Sequence, residues 1–580
     1  MSKLSVDHKT IVALFQDKKA DFLVPDYQRP YAWTALDQCQ TLWDDIFTFA
    51  FPEDDYLRFD SNDEYYLGPI VTFKNKAGKM EIIDGQQRLT TLMLLLRAFY
   101  AKYGYMKDEP SRRMRESIEQ CLWKTDEFGN PDKSTLKIDS AVATDNDKEE
   151  FLEILKSGVA SKEQKSSYAL NYRFMQEKID EFLNRYPAWF SYLPARILNN
   201  CILLPIEAES QDTALRIFST LNDRGKPLSD ADIFKAQFYN YFSSKGQKDL
   251  FVQKWKALEE ICEKIFHPIT GTPMDELFTR YMYFERAKQG NKSSTTEALR
   301  KFYEKNSYGL LKKEETFENI QILADFWNDV SSQSIERFSD RILRRLFVLN
   351  YAPNGMWTYF VSVYFMKNKD AEGALDEDAF YAFLNKMTAF IWAYAVTNPG
   401  VNALRTPIYA EMVNVVNDIP ITFGDYKFDA DALERIFANY NFYNCRPITK
   451  SMLAWWAFHD DCQTLLSIET VYEIEHIFAR SRQDNERSLS SDSFLETLGN
   501  KALLEKRINI RASDYRFEDK IKYYRGFINN RNQKKEGTQI QELVGFANTL
   551  SDFDERSITD RDSAILHGFL DYLRGNDLLL

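Results

Sequence analysis

The chain has 580 residues, too many for one hydrophobic core, so two to four domains are expected. Its 44% hydrophobic and 28% charged residues are ordinary for a soluble globular protein, and its net charge of −13 argues against a surface that binds nucleic acid all over, though not against a local basic groove. Six scattered cysteines with no Cys-x-x-Cys pair give a zinc knuckle no support and fit reduced thiols.

In chain order, the N-terminus (MSKLSVDHKTIVALF) lacks a long apolar run and a small-residue cleavage site. No stretch reaches the ~20 apolar residues of a membrane span. A cytoplasmic protein with no membrane partner is expected. The segment VPDYQRPYAW, residues 24–33, supplies Gln28, Arg29, Tyr31 and Trp33, which serve either a binding wall or an aromatic staple. A strand is predicted over 66–73 (YLGPIVTF), a turn over 75–78 and a second strand over 79–83. Asp84-Gly85 breaks that strand, and from Leu89 the spacing of Leu92, Met93, Leu96 and Phe99 predicts a helix.

Residues 105–190 read as charged helices with a polar loop over 125–134, and 202–206 as a short strand. A helix, a glycine turn at Asn222-Asp223-Arg224-Gly225 and a second helix follow, with Ser229 and Asp232 placed as a capping box. Residues 246–430 carry an aromatic-rich helical pattern without a site signature. The fold class expected is α+β, predominantly helical. Domains are placed at 1–245, 246–430 and 431–580, the middle one a helical scaffold.

Beyond Ile468 the character changes. VYEIEHIFARS places Glu475 beside His476 after a short β-like run, in a chain with only five histidines. LGNKALLEKRINI then places Asn500 and Asn509 nine residues apart. A lone histidine is more often structural, but this one comes with a carboxylate and two spaced amides. The pattern resembles the ββα-metal (HNH) nuclease finger, and Leu498, Gly499, Asn500, Asn509, Phe517 and Lys520 resemble the subfamily called domain of unknown function 1524. Ala479 stands where that family commonly has proline, and the third catalytic position is Asn instead of His. The resemblance implies His476 as general base, Asn500 as the pin of the intervening loop, and Asn509 as a third catalytic group. It also implies Mg²⁺ or Mn²⁺ held by the oxygens of Glu475 and Asn509, because phosphodiester hydrolysis needs an activated water and a cation at the departing oxygen. From 501 to 535, eleven basic residues stand against four acids, a net of +7, and Lys501, Lys506, Arg507, Arg511 and Lys520 are the expected DNA contacts. A solvated helix face is the alternative for that charge run.

The stretch EIIDGQQRLTT puts two glutamines and an arginine at the start of an apolar helix. A helix N-terminus attracts anions, and Arg88 can grip a phosphate with two N–H groups. A buried polar network capping the helix is the alternative. No Gly-x-x-x-x-Gly-Lys-Ser/Thr is present, so this is not a P-loop protein. Together the three N-terminal motifs resemble domain of unknown function 262, the ParB/sulfiredoxin-like domain with the Asp-Gly-Gln-Gln-Arg signature. Its fusion to an HNH finger is the architecture of GmrSD-type, modification-dependent (type IV) restriction enzymes. That resemblance implies an N-terminal domain that binds and hydrolyses a nucleoside triphosphate (GTP, ATP or another) and a finger that cuts double-stranded, modified phage DNA. Asp84, Gly85, Gln86, Gln87 and Arg88 would line the phosphates, Gln28 and Arg29 would face them, Asn222 and Arg224 would complete the pocket, and Asp84 would hold a metal or a water. The second reading is a nucleotide-dependent sensor whose inert finger binds DNA or a partner. The sequence leaves the oligomeric state, a homodimer included, open.

Overall fold

The structure is a computed structural model that describes residues 8–142, 145–211, 213–214, 217, 229–400, 402–460 and 462–580. It is an α+β chain, predominantly helical, and divides into two units, Met1–Lys256 and Ala257–Leu580. Residues 257–430 and 431–580 thus lie in one compact unit. Among the described residues no helix is long and apolar enough to cross a membrane.

The first unit is organised by strands Lys9–Thr10 (β1), Phe22–Val24 (β2), Tyr65–Lys74 (β3), Met80–Asp84 (β4), Ile138–Ser140 (β7) and Cys201–Ala208 (β8). Between β4 and β7, Trp123–Thr125 (β5) and Pro131–Leu136 (β6) form a separate hairpin, so the polar loop predicted over 125–134 is its turn and second arm. The sheet order is β1-β8-β3-β4-β2-β7, with β3–β4 antiparallel and β3–β8 parallel. Gly85 ends β4 with φ 91°, a left-handed conformation that glycine adopts without penalty. The chain therefore turns straight into helix α1, Gln86–Tyr103, three residues before the apolar pattern predicts. That helix is buried nearly all round, Thr90, Thr91, Leu94 and Leu95 included, which is why its pattern reads only partly as one face. Helix α2, Ser167–Arg185, packs against it, and Asn171 of α2 donates to Tyr31 Oη (2.9 Å) and the Trp33 carbonyl (2.8 Å). Helix α3, Asp230–Ser244, begins with the reciprocal Ser229–Asp232 capping box that the sequence predicts.

The second unit is built on long helices, among them α4 (Pro273–Lys288), α5 (Glu314–Ser331), α6 (Met356–Asn368), α7 (Glu377–Thr397) and α8 (Arg405–Val416). Its core is aromatic: Phe326 stacks on Phe365 at 4.1 Å and Phe390 on Phe423 at 3.7 Å. Arg280 lies between Phe266 and Trp327, 4.3 and 4.1 Å from their ring centres, so a buried cation is held by ring faces as well as by Glu276. Helix α9 (Pro447–Ala457) leads to strand β9 (Tyr472–His476), which pairs antiparallel with β10 (Lys501–Glu505) and sets His476 opposite Lys501. Helices α10 (Lys506–Ala512) and α11 (Phe517–Arg525), a hairpin of Gly526–Ile528 (β11) and Lys534–Glu536 (β12), and the terminal helix α12 (Glu555–Gly575) follow.

Candidate functional site

In the first unit, the mouth of α1 gathers motif residues of two segments, 28–33 and 84–88. No side chain caps α1, whose first turn starts directly after the left-handed Gly85. Asp84 is half-buried, and burial raises its carboxyl above the usual range against the pull of the Gly85 N–H, Arg88 and Arg29. Arg88 donates to the Pro69 carbonyl (3.0 Å), and burial lowers its pKa against the attraction of Asp84 and Tyr66. Its guanidinium fits because residue 68 is glycine at φ 119°: a Cβ there would lie 2.8 Å from Arg88 Nη2. Arg29 Nε is buried without a hydrogen-bond partner. Arg29, Arg88 and Asp84 are thus the charged groups that this mouth offers.

The glutamines do other work. Gln87 is 8% exposed, and its amide oxygen accepts from the N–H groups of Ala32 (2.7 Å) and Trp33 (3.3 Å) while its nitrogen donates to Pro30 (3.1 Å). Gln28 is 5% exposed and donates to the carbonyls of Ile82 (3.3 Å) and Ile83 (3.1 Å). Gln86, also buried, donates to the Arg29 carbonyl (3.4 Å). In this structure Gln28, Gln86 and Gln87, expected to line or face the phosphates, sew the 28–33 segment to the end of β4 and the start of α1. The backbone of that segment has no strand to pair with, and buried peptide groups must be satisfied. Asn222 and Arg224 lie outside the described residues. Gly68 was missed by sequence reading. Its only signal was a glycine inside an otherwise strand-like run, the mark of close approach by another group.

In the second unit, alternation along β9 puts Glu473 and Glu475 on one face. Glu475 is 3% exposed, and its Oε1 accepts from Tyr524 Oη (2.6 Å) and pairs with Lys520 Nζ (2.8 Å). Burial raises the Glu475 carboxyl against the lysine's pull. Lys520 Nζ also donates to the His476 carbonyl (2.5 Å), so one buried cation holds both motif residues. The His476 ring carries a buried Nε2 without a partner. Burial, with Lys501 nearby, lowers its pKa to about 4, so the ring is neutral and its lone pair available at pH 7. Asn500, fully buried, accepts from the Phe478 N–H (2.7 Å) and donates to the Phe478 carbonyl (3.2 Å), while its own carbonyl accepts from Ile477 (2.9 Å). These three bonds fix the chain directly after His476.

Asn509, on α10, donates through Nδ2 to Glu473 Oε2 (3.1 Å). That bond, with Lys506 at 3.4 Å from Glu473, lowers the Glu473 carboxyl. Glu473 was not singled out by the sequence, although it alternates with Glu475. The bonds at Glu475 fall on Oε1 and that at Asn509 on Nδ2, which leaves Oε2 and Oδ1, oxygens of the hard type that Mg²⁺ and Mn²⁺ take. Among the described residues no group of three or more His, Cys, Asp or Glu could hold a metal. A one-carboxylate, one-amide site is sparser than that, in keeping with a cation that keeps water and takes substrate phosphate.

Two of the expected DNA contacts, Lys501 and Lys520, lie in the interior. Lys501 is fully buried and bonds Glu496 (2.5 Å), the Phe442 carbonyl (2.6 Å) and Asn444 (2.8 Å). Lys520, 1% exposed, is held by Glu475 and the His476 carbonyl. Neither ammonium lies at the surface. Lys506 and Arg507 are exposed, and half-buried Arg511 donates to the carbonyls of Arg507 (3.1 Å) and Glu536 (3.4 Å). The LGN turn ahead of β10 is clamped by Arg561 of α12, which donates to Leu498 (2.7 Å), Gly499 (3.1 Å) and Lys501 (2.7 Å) carbonyls and is itself held by Glu542 through two 2.8 Å bonds. Only glycine fits at 499, where a Cβ would lie 2.8 Å from Asp562 Cβ.

Two family models match this chain. One, described as the N-terminal domain of the GmrSD restriction endonuclease, matches residues 11–239. The other, described as the C-terminal domain of GmrSD restriction endonucleases, matches residues 424–567. No curated protein matches it.

Proposed function

We propose, for a chain that belongs to the GmrSD restriction endonucleases, that cleavage takes place at the His476 site in the manner of an HNH finger and is governed by a nucleoside triphosphate bound at the mouth of α1. The observation that carries this reading is the buried, unpartnered Nε2 of a neutral histidine, fixed beside a carboxylate and two asparagines. His476, unprotonated at pH 7, takes the proton of the attacking water on Nε2. Asn500 holds the Phe478 peptide and so the position of the imidazole. Lys520 and Tyr524 hold the Glu475 carboxylate in one orientation. When bound through Glu475 Oε2 and Asn509 Oδ1, Mg²⁺ or Mn²⁺ supplies charge at the scissile phosphate.

In the first unit, read as ParB/sulfiredoxin-like, Arg29 and Arg88 would grip the triphosphate with the N–H groups of the first turn of α1. Asp84, kept near Arg88, would orient a metal or the water that attacks the terminal phosphate. The substrate reading is modified phage DNA, the partners are duplex DNA and NTP, and the location is the cytoplasm. The test is incubation of modified and unmodified phage DNA with Mg²⁺ or Mn²⁺, with and without each NTP, using wild type and Arg88→Ala. NTP-sensitive cutting whose NTP response is lost in Arg88→Ala supports both halves. Wild-type hydrolysis of NTP by Arg88→Ala sinks the assigned pocket. NTP hydrolysis without cutting on any DNA would favour the second reading, a sensor with an inert finger.

A further inference from the structure

The β11–β12 hairpin has no part in the site described above, yet it is built as a rigid projection rooted on it. Gly526, Phe527 and Ile528 pair with Glu536, Lys535 and Lys534. At the root, a Cβ on Gly526 would lie 2.7 Å from the Lys535 carbonyl and one on Gly537 2.6 Å from the Arg525 carbonyl carbon, so two glycines let the arms cross closely. Thr538 N–H donates to the Tyr524 carbonyl (3.0 Å) and Thr538 Oγ1 to Glu505 (2.6 Å). Tyr524 is the residue that holds Glu475. The hairpin is therefore tied to both strands of the candidate catalytic pair.

Its tip, Asn529-Asn530-Arg531-Asn532-Gln533, is fixed by itself. The Asn529 side chain accepts from the N–H groups of Arg531 (3.0 Å) and Gln533 (2.9 Å) and donates to Gln533 Oε1 (3.1 Å), and Asn532 adopts φ 56°. What it presents is unusual for a solvated turn. Ile528 is 68% exposed, Asn530, Arg531 and Lys534 are exposed, and Arg531 and Lys535 enter no ion pair among the described residues. Residues 525–536 carry four basic side chains against one acidic one, a net of +3 in a chain of −13. Beside the root runs an aromatic row: Tyr515 stacks on Tyr523 at 6.2 Å, and Phe527 meets Tyr523 edge-on at 5.4 Å.

We propose that this hairpin enters a groove of the duplex being cut and sets where the His476 site falls along it. A two-stranded ribbon fits the major groove, Asn, Gln and Arg side chains match base edges, and an exposed isoleucine can meet a thymine methyl. Arg531, Lys534 and Lys535 would take the flanking phosphates. The inference rests on the nuclease reading above, and its test is kept separate from cutting.

The full chain carrying His476→Ala is titrated, without divalent metal, against a fluorescent DNA duplex over a range of salt. The triple variant Arg531→Ala/Lys534→Ala/Lys535→Ala in that background is expected to bind about tenfold or more weakly. Its plot of log K against log salt should flatten by about two to three, near one for each phosphate that is no longer neutralised. A control triple at exposed lysines elsewhere in the unit, Lys292→Ala/Lys312→Ala/Lys313→Ala, should leave both unchanged. Equal affinity and slope in the hairpin variant, or an equal loss in the control, overturns the proposal. All the changed side chains are exposed except Lys535, which is half-buried, and matched melting curves confirm folding. Failure of the nuclease reading is separately visible as undiminished cutting by His476→Ala in metal.

Discussion

At the mouth of α1, Gln87 commits its whole amide to the backbone of residues 30–33, whereas at the end of β9, Glu475 meets a lysine ammonium and a phenol. The first region orders itself with neutral amides and leaves arginines over, with Arg29 Nε unpartnered. The second orders itself with buried charge pairs, Glu475–Lys520 and Lys501–Glu496, and leaves over a neutral imidazole nitrogen. Surplus cationic donors suit a ligand that brings its own negative charge. A surplus lone pair suits a proton that must be taken from water. What each region leaves unsatisfied, more than what it contains, tells the two chemistries apart.

The contrast is broken most severely at Lys520. Lys520→Met removes one partner of a fully buried ion pair and leaves Glu475 uncompensated, so a loss of about 3–5 kcal/mol is expected in denaturant unfolding of the second unit. A midpoint equal to wild type would show that the pair is not buried as described.

Next in size is a pH effect at His476. Its folded pKa of about 4 lies below the 6.5 of a free histidine, so between those values the folded chain binds fewer protons than the unfolded one. The stability that the neutral ring contributes is fully present above pH 6.5 and is lost as pH falls toward 4. Relative to His476→Gln, wild type should lose about 3 kcal/mol over that window. Parallel pH–stability curves for the two proteins would contradict a buried neutral ring.

Gln87→Ala is the counterpart in the first unit. It leaves two buried backbone N–H groups and a carbonyl short of partners, at a cost of about 2 kcal/mol, and frees the 28–33 segment to amide exchange. Unchanged exchange protection at Ala32 and Trp33 would count against it. The smallest effect is at Glu473. Glu473→Ala releases Asn509 Nδ2 and lets the amide rotate, so Mn²⁺ affinity read by electron paramagnetic resonance should fall about tenfold with the melting temperature unchanged. Unaltered Mn²⁺ binding would show that Asn509 needs no such orientation.

Much of the frame was legible before the fold was seen. The strand at 66–73, the Asp84-Gly85 break and the Ser229–Asp232 box obey local rules that tertiary context did not override. The juxtaposition of Glu475, His476, Asn500 and Asn509 came from motif spacing. The side-chain directions did not, because charge counting along 501–535 carries no orientation. All five residues of β10 are buried, so no alternation marks Lys501 as internal. Lys520 on α11 faces the same interior because the Glu475 carboxylate is already there. The glutamines' bonds to residues 28–33 were not legible for a related reason. A polar residue at a helix mouth satisfies a ligand and a neighbouring loop with the same atoms, and only the path of residues 28–33 decides between them.

The central claim is that His476 is the general base for DNA cleavage. It is tested most directly by the single-turnover rate at which an end-labelled duplex is cut in Mg²⁺ or Mn²⁺ by wild type and by His476→Ala of matched melting behaviour. The account predicts a fall of about 10²–10⁴-fold in the variant. Cutting by His476→Ala at the wild-type rate would contradict it.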